Sequence, residues 1–166
     1  NGYESNVLEG LQYCINNGAD VISFSIGAGS YNGFCDSNIV ADLANQAIAG
    51  GIFVVAATGN DGSSNLKSPA CASKVTRVST TDKQDVIAIF SNVNFGVDVF
   101  APGKDISTKT LGGSVTSISG TSASVPFVSG AAALVLENSS LAPLDLRYRF
   151  ASTGKPILYV QGGSMI

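Results

Sequence analysis

Two apolar runs, Val21-Ile22-Ser23-Phe24-Ser25-Ile26 and Ile52-Phe53-Val54-Val55-Ala56-Ala57, each stop at a glycine loop, and a single helical pattern lies between them. Neither run alternates strictly, as expected of strands covered on both faces rather than on one. The intervening pattern places Ile39, Val40, Leu43, Ala44, Ala47 and Ile48 on one helical face, with Asp36 or Ser37 as its cap and Gly50-Gly51 after its end. Strand, helix and strand at these lengths predict a crossover between parallel neighbours, since only a long connection returns the chain to the same end of the sheet. Both glycine loops then open on one edge of the sheet, where folds of this kind place their sites.

The rest of the chain extends this α/β pattern. Val7, Leu8, Leu11, Tyr13, Cys14 and Ile15 predict a first helix ended by Asn17-Gly18. Further strands are expected at 75–79, 86–90 and 97–101, and a hairpin at 106–110 and 115–118 around Leu111-Gly112-Gly113. An alanine-rich helix follows to Glu137 and a short one at 144–150, whereas the tail from Ser152 to Ile166 carries no clear pattern. The 166 residues suit one domain. A net charge of -3 with no basic run argues against a nucleic-acid partner, and no apolar run is long enough for a membrane span. The segment Asn1-Gly2-Tyr3-Glu4-Ser5 has no signal-peptide shape, so a targeting segment would lie outside this sequence.

Of three cysteines, Cys14 falls in the helical pattern and is expected as a buried free thiol. Cys35 and Cys71 sit in turn-like contexts, Gly33-Phe34-Cys35-Asp36 and Ser68-Pro69-Ala70-Cys71, and are predicted to form a disulfide. The alternative is two unpaired small core residues.

The segment Ser119-Gly120-Thr121-Ser122-Ala123-Ser124-Val125-Pro126 leads into the alanine-rich helix. Taken alone, Ser122 reads as a helix cap. Pro126 complicates that: if the helix has begun by Ser122, Pro126 has no N–H for the Ser122 carbonyl, although the helix could instead start just before Pro126. A hydroxyl at a helix mouth, beside free N–H groups, has the setting of a nucleophile. Simple anion binding at the same helix mouth would need only the N–H groups. Read as a nucleotide loop, Gly27-Ala28-Gly29 followed by Gly33 misses the dinucleotide spacing by one residue.

Gly120-Thr121-Ser122, Pro126 and Val128-Ser129-Gly130-Ala131-Ala132-Ala133-Leu134 together resemble the nucleophile segment of subtilisin-like serine proteases. Ala123 stands where that family usually has Met, and Phe127 where it usually has a non-catalytic His. Val54-Val55-Ala56-Ala57-Thr58-Gly59-Asn60-Asp61-Gly62, Ser68-Pro69-Ala70-Cys71 (a family turn that often carries a cis proline) and Phe100-Ala101-Pro102-Gly103 resemble further segments in the family's order, so the likeness covers about residues 7–137.

The resemblance implies a three-layer subtilisin-like α/β fold: a mostly parallel sheet flanked by helices, incomplete at its N-terminal side, in one partial peptidase domain over 1–166. It implies a serine endopeptidase with Ser122 as nucleophile and Asn60 as oxyanion donor. Ser25, Ile26 and Gly27 would form one wall of the pocket for an extended polypeptide substrate, and Ala57, Thr58 and Gly59 the other. Apolar, uncharged walls of this kind would favour a neutral or hydrophobic residue before the cleaved bond. No cofactor is implied for catalysis, no metal ligands are identified, and structural calcium is left open. An extracellular or secreted location is implied, with which a Cys35–Cys71 pair agrees.

The chain has no histidine. A serine triad needs an imidazole, so the partner implied is an N-terminal segment carrying the triad Asp and His, without which this chain is expected to be inactive. Asp20, Asp36, Asp61, Asp82, Asp85, Asp98 and Asp105 match no triad motif and are expected as solvated turn and cap residues. Lys104 or Lys109 could stand in for the imidazole, but no spacing favours either. A non-catalytic peptide-binding or assembly module on the same fold is the alternative function.

Overall fold

A computed structural model describes residues 2–157, 160–161 and 164–165. Its centre is a parallel sheet of four strands, β1 (Val21–Phe24), β3 (Phe53–Ala57), β5 (Thr76–Thr81) and β6 (Val99–Pro102), in the order β1-β3-β5-β6. Helices α1 (Glu4–Asn16) and α2 (Ile39–Ala49) pack on one face, and α3 (Thr121–Glu137) and α4 (Pro143–Thr153) on the other. Two short antiparallel pairs join β2 (Ala28–Tyr31) to β4 (Leu66–Ser68) and β7 (Ile106–Lys109) to β8 (Val115–Ile118). In the tail, β9 (Val160–Gln161) pairs with β10 (Ser164–Met165). Of the tail left without a pattern by the sequence, Ser152 and Thr153 end α4, and positions 158, 159, 162, 163 and 166 lie outside the described residues.

Strand β3 explains the layering. All five of its residues are buried: Val54 and Ala56 join Ile22, Phe24, Ala44 and Ile48 on the α2 side, while Phe53, Val55 and Ala57 join Val78, Val125, Val128 and Ala132 on the α3 side. The period-2 alternation of a strand thus feeds two cores at once. Because its inner residues are small, α3 lies close enough to touch all four strands of the sheet.

Several expectations are corrected. The cap of α2 is Asn38, whose Oδ1 accepts from the N–H groups of Val40 and Ala41 at 3.1 and 3.2 Å. Asp36 instead accepts from Asn45 Nδ2 and from the Ser73 N–H, both at 2.8 Å, and so ties the helix to the loop after Cys71. Residues 86–90 form no strand beyond a single bridge, Thr81 to Ile87. Asp82 Oδ1 accepts from the N–H groups of Gln84 and Val86, Asp85 is left-handed at φ 62°, and this tight turn leaves Val86 and Ile89 facing solvent. Tyr13 is exposed rather than part of the apolar face of α1, and Cys14 is half-buried.

Asp98 is not a solvated turn residue. It accepts from Arg147 Nε at 2.9 Å and from the Arg77 N–H at 2.8 Å, while Arg147 Nη1 also donates to the Ser73 carbonyl at 2.8 Å. This clamps α4 to the β5–β6 end of the sheet.

Cys35 and Cys71 are joined in a disulfide that closes a separation of 36 residues. Removing it by Cys35→Ser with Cys71→Ser should cost about 3 to 4 kcal/mol from loop-closure entropy. Urea unfolding of the two forms measures it: a lower midpoint, with a steeper slope because the denatured chain without the crosslink exposes more surface, is the expected result.

Candidate functional site

The two glycine loops do leave the same edge of the sheet, after β1 and after β3, and the mouth of α3 comes to meet them. Three contacts hold it there. The Ser124 hydroxyl, fully buried two residues after Ser122, lies 2.7 Å from Thr80 Oγ1 and donates to the Ala101 carbonyl at 3.0 Å. Gly103 passes so close to that hydroxyl that a Cβ there would overlap it, and the Gly120 N–H donates to the Gly103 carbonyl at 2.8 Å. The start of α3 is therefore fixed to β5 and β6 before any active group is considered.

Ser122 is not a cap. The helix begins at Thr121, Gly120 occupies the capping position without a side-chain bond, and Pro126 lies inside the helix. In the first turn the Ser122 N–H has no carbonyl four residues earlier in the helix to bond. The Ser122 carbonyl that Pro126 cannot serve is served instead from the first glycine loop: Ser25 Oγ donates to it at 3.0 Å. Ser25→Ala should therefore leave this carbonyl short of a donor, lowering stability by about 1 kcal/mol and freeing the Ser122 backbone to shift. A thermal melt read beside reactivity at Ser122 checks it; unchanged values in both would remove Ser25 from this role.

Asn60 approaches from the second loop. Its Oδ1 accepts from the Thr121 N–H at 2.8 Å and from Thr121 Oγ1 at 3.0 Å, while Thr121 Oγ1 in turn accepts from the Gly59 N–H at 3.3 Å. With its carbonyl oxygen held by two donors, the Asn60 amide can present only its NH₂ end elsewhere. That end and the nucleophile candidate both face Gly120: a Cβ built there would sit 3.0 Å from Ser122 Oγ and 3.3 Å from Asn60 Nδ2. The bare Cα of Gly120 leaves open the space into which hydroxyl and amide converge.

The other candidate residues divide. Ser25 contacts the Ser122 backbone, and Ile26 is more than half exposed on the rim. Ala57 points into the core under α3 and Thr58 is fully buried, so of the second wall Gly59 alone keeps partial exposure. Thr58 reaches the site through its backbone, bonding the Val78 carbonyl and the Lys67 N–H.

Three organising residues are given no role by the sequence. Thr121, named there only as part of the segment before Ser122, orients Asn60. Asn92, fully buried, accepts from the N–H groups of Asp61 and Ser63 and donates to the Asn65 carbonyl and the Asp61 carboxylate, shaping the whole loop after Gly59. A side chain at Gly59 would collide with Asn92, and Gly59 has φ 121°, so glycine is required there. Lys67, in β4, pairs with Asp61 at 2.6 Å. Bonds from Lys67 and then Asn92 hold the Asp61 carboxyl below the usual carboxylate range, so it stays ionised until pH falls below that range. Among the described residues no group of three or more His, Cys, Asp or Glu could hold a metal ion.

The sequence profile of the subtilase family, Peptidase_S8, matches residues 1–156. The chain belongs to the subtilase family. Subtilisin BL of Lederbergia lenta is 34% identical over 166 residues, covering 97% of this chain and 60% of that protein. Alkaline elastase YaB of Bacillus sp. (strain YaB) is 35% identical over 153 residues, covering 92% of this chain and 39% of that protein. Among solved structures, a cold adapted subtilisin-like serine proteinase superposes with TM-score 0.79 at 34% identity, over 92% of this chain and 55% of that one. The prenylagaramide maturation protease PagA superposes with TM-score 0.83 at 27% identity, over 95% and 59%. This subtilase chain thus spans about four-tenths to six-tenths of the length of these relatives. It carries the family's parallel sheet with helices on both faces, but no histidine.

Proposed function

We propose that this chain carries the nucleophile and oxyanion half of a serine endopeptidase. Ser122 Oγ attacks the peptide carbonyl carbon and its proton passes to an imidazole supplied by another segment. The carbonyl oxygen, now negative, lies between Asn60 Nδ2 and the Ser122 N–H. The amine leaves with the proton returned by the imidazole, and water then hydrolyses the ester on Ser122. The observation that carries the reading is the Asn60 amide, held at its oxygen by Thr121 while its nitrogen and Ser122 Oγ both face the bare Cα of Gly120.

The imidazole and its Asp partner are assigned to an N-terminal segment docking along β1. That strand is an edge of the sheet, and Ile26, Phe127 and Leu134 on the nearby loop and helix are exposed apolar groups. An edge left in this state invites a further strand. Secretion agrees with the Cys35–Cys71 disulfide. No cofactor enters the reaction.

The absence of histidine favours a second reading for the chain by itself: it holds extended peptides without cleaving them. Mass spectrometry of a peptide mixture incubated with the chain, alone and joined to a His- and Asp-bearing N-terminal segment, separates the two. Cleavage by the joined form, absent in its Ser122→Ala variant, is expected; bound but intact peptide in both forms would leave the binding module.

A further inference from the structure

The space between the two glycine loops is not the uncharged slot that their sequences suggest. Strand β4 lies between them: Ser68 pairs with Ala28 of β2 on one side, and the Lys67 N–H donates to the Thr58 carbonyl at 3.1 Å on the other. The Lys67 side chain touches both loops. A Cβ on Gly27 would lie 2.7 Å from Lys67 Cβ, and one on Gly59 would lie 2.8 Å from Lys67 Cγ. These are the loops that hold the nucleophile, through Ser25 to the Ser122 carbonyl and through the Gly59 N–H to Thr121. Lys67 therefore forms a floor between two walls of bare backbone, and its ammonium reaches Asp61, which is half exposed.

Building on the endopeptidase reading, which lays the substrate between these loops, we infer that Lys67 determines the side chain accepted before the cleaved bond and selects an acidic one. An ammonium has three donors, and Asp61 faces it from one side. A glutamate side chain entering between Gly27 and Gly59 meets the same ammonium, while Asn92 Nδ2 keeps Asp61 in place at 3.2 Å. A lysine or arginine side chain gains no acceptor from the ammonium, and the nearby Asp61 carboxylate is already paired with it. A large aromatic one has to displace the Lys67 stem, which already occupies the contact distance to both walls.

The test uses the whole protein with Ser122→Ala, so that peptides bind without being cut. Affinities are measured for peptides identical except for a final Glu, Gln, Phe or Lys. The Glu peptide should bind about tenfold or more tighter than the others, the scale of one charge-assisted hydrogen bond. Adding Lys67→Gln, which keeps the stem and removes the charge, should erase the Glu preference, and Lys67→Gly should admit the Phe peptide. Equal binding of Glu and Phe, a Glu preference that survives Lys67→Gln, or no binding of any peptide overturns the assignment. Cleavage of the extended Glu peptide by the Ser122 form is read separately: selective binding without cleavage sinks the endopeptidase reading and leaves Lys67 as the selector, whereas cleavage without Glu preference sinks the role of Lys67 alone.

Discussion

Asn60→Leu in the assembled protease should lower kcat about 10²- to 10³-fold while KM changes little, the magnitude established for removing one such donor from subtilisin, a member of this family. Leucine keeps most of the volume and removes both polar ends of the amide. The substrate carbonyl gains little from Asn60 before attack, so binding is nearly spared; the negative oxygen formed by attack needs the donor, so the loss falls on the chemical step. The Thr121 N–H and hydroxyl lose their acceptor at the same time, which adds about 1 kcal/mol of lost stability. Thr121→Val provides the comparison: Asn60 keeps its amide but loses one of the two bonds that aim it, and kcat should fall less. Steady-state kinetics on one peptide substrate reads both. A loss confined to KM would show that Asn60 serves in holding the peptide rather than in the reaction.

Arg77→Met should lower stability by roughly 3 to 5 kcal/mol, the range for breaking a buried charged group away from its partners. Arg77 is 3% exposed in the middle of the sheet. Its Nε donates to the Ala70 carbonyl, Nη1 to Gly96, and Nη2 to Ala72 and Ser73. Three of these carbonyls flank the disulfide-bonded Cys71, so one guanidinium fixes the turn after Pro69 to β5. Burial draws its pKa down, and Asp98 opposes that and supports the charge. Methionine leaves those carbonyls without their donor, and for a chain of this length the melting temperature should fall by roughly 10 °C. Arg77→Lys should recover only part of it, because a single ammonium cannot reproduce the fork. A melt within about 2 °C of the parent for Arg77→Met would contradict this.

The legible parts of the fold were those with long-range regularity. The runs that became β1 and β3, the face of α2, the hairpin of β7 and β8, and the C-terminal end of α3 follow from period and turn chemistry in the sequence itself, whereas the sequence leaves the start of α3 at Thr121 open. The cap of α2 did not, because Asp36, Ser37 and Asn38 are all good caps, and what decides among them is that Asp36 is drawn off by Asn45 and Ser73. Residues 86–90 have strand composition, yet Asp82 turns the chain before a ladder can form. Strands β2 and β4 are three or four residues long and arise only by pairing across 35 residues or more.

At the site, Ser122 and Asn60 stand out only because their segments resemble those of the subtilisin-like family; taken alone, Ser122 reads as a helix cap. Ser25 was placed on the pocket wall, but its bond to the Ser122 carbonyl depends on bringing β1 under α3. Asn92, Thr121 and Lys67 act across contacts that local pattern does not encode. Lys67 is the instructive case: the two glycine loops are apolar in sequence, and the charged residue whose stem lies against both Gly27 and Gly59 comes from the strand between them.

Ser122 should be a reactive nucleophile only when an imidazole is brought to it. A fluorophosphonate probe is incubated with this chain alone and with the chain joined to an N-terminal subtilase segment bearing His and Asp, and the labelled peptide is located by mass spectrometry. A stoichiometric adduct on Ser122 is expected in the joined form and little in the chain alone, because a serine hydroxyl needs an imidazole to take its proton. An unlabelled Ser122 in the joined form, or an adduct on another serine, would contradict it.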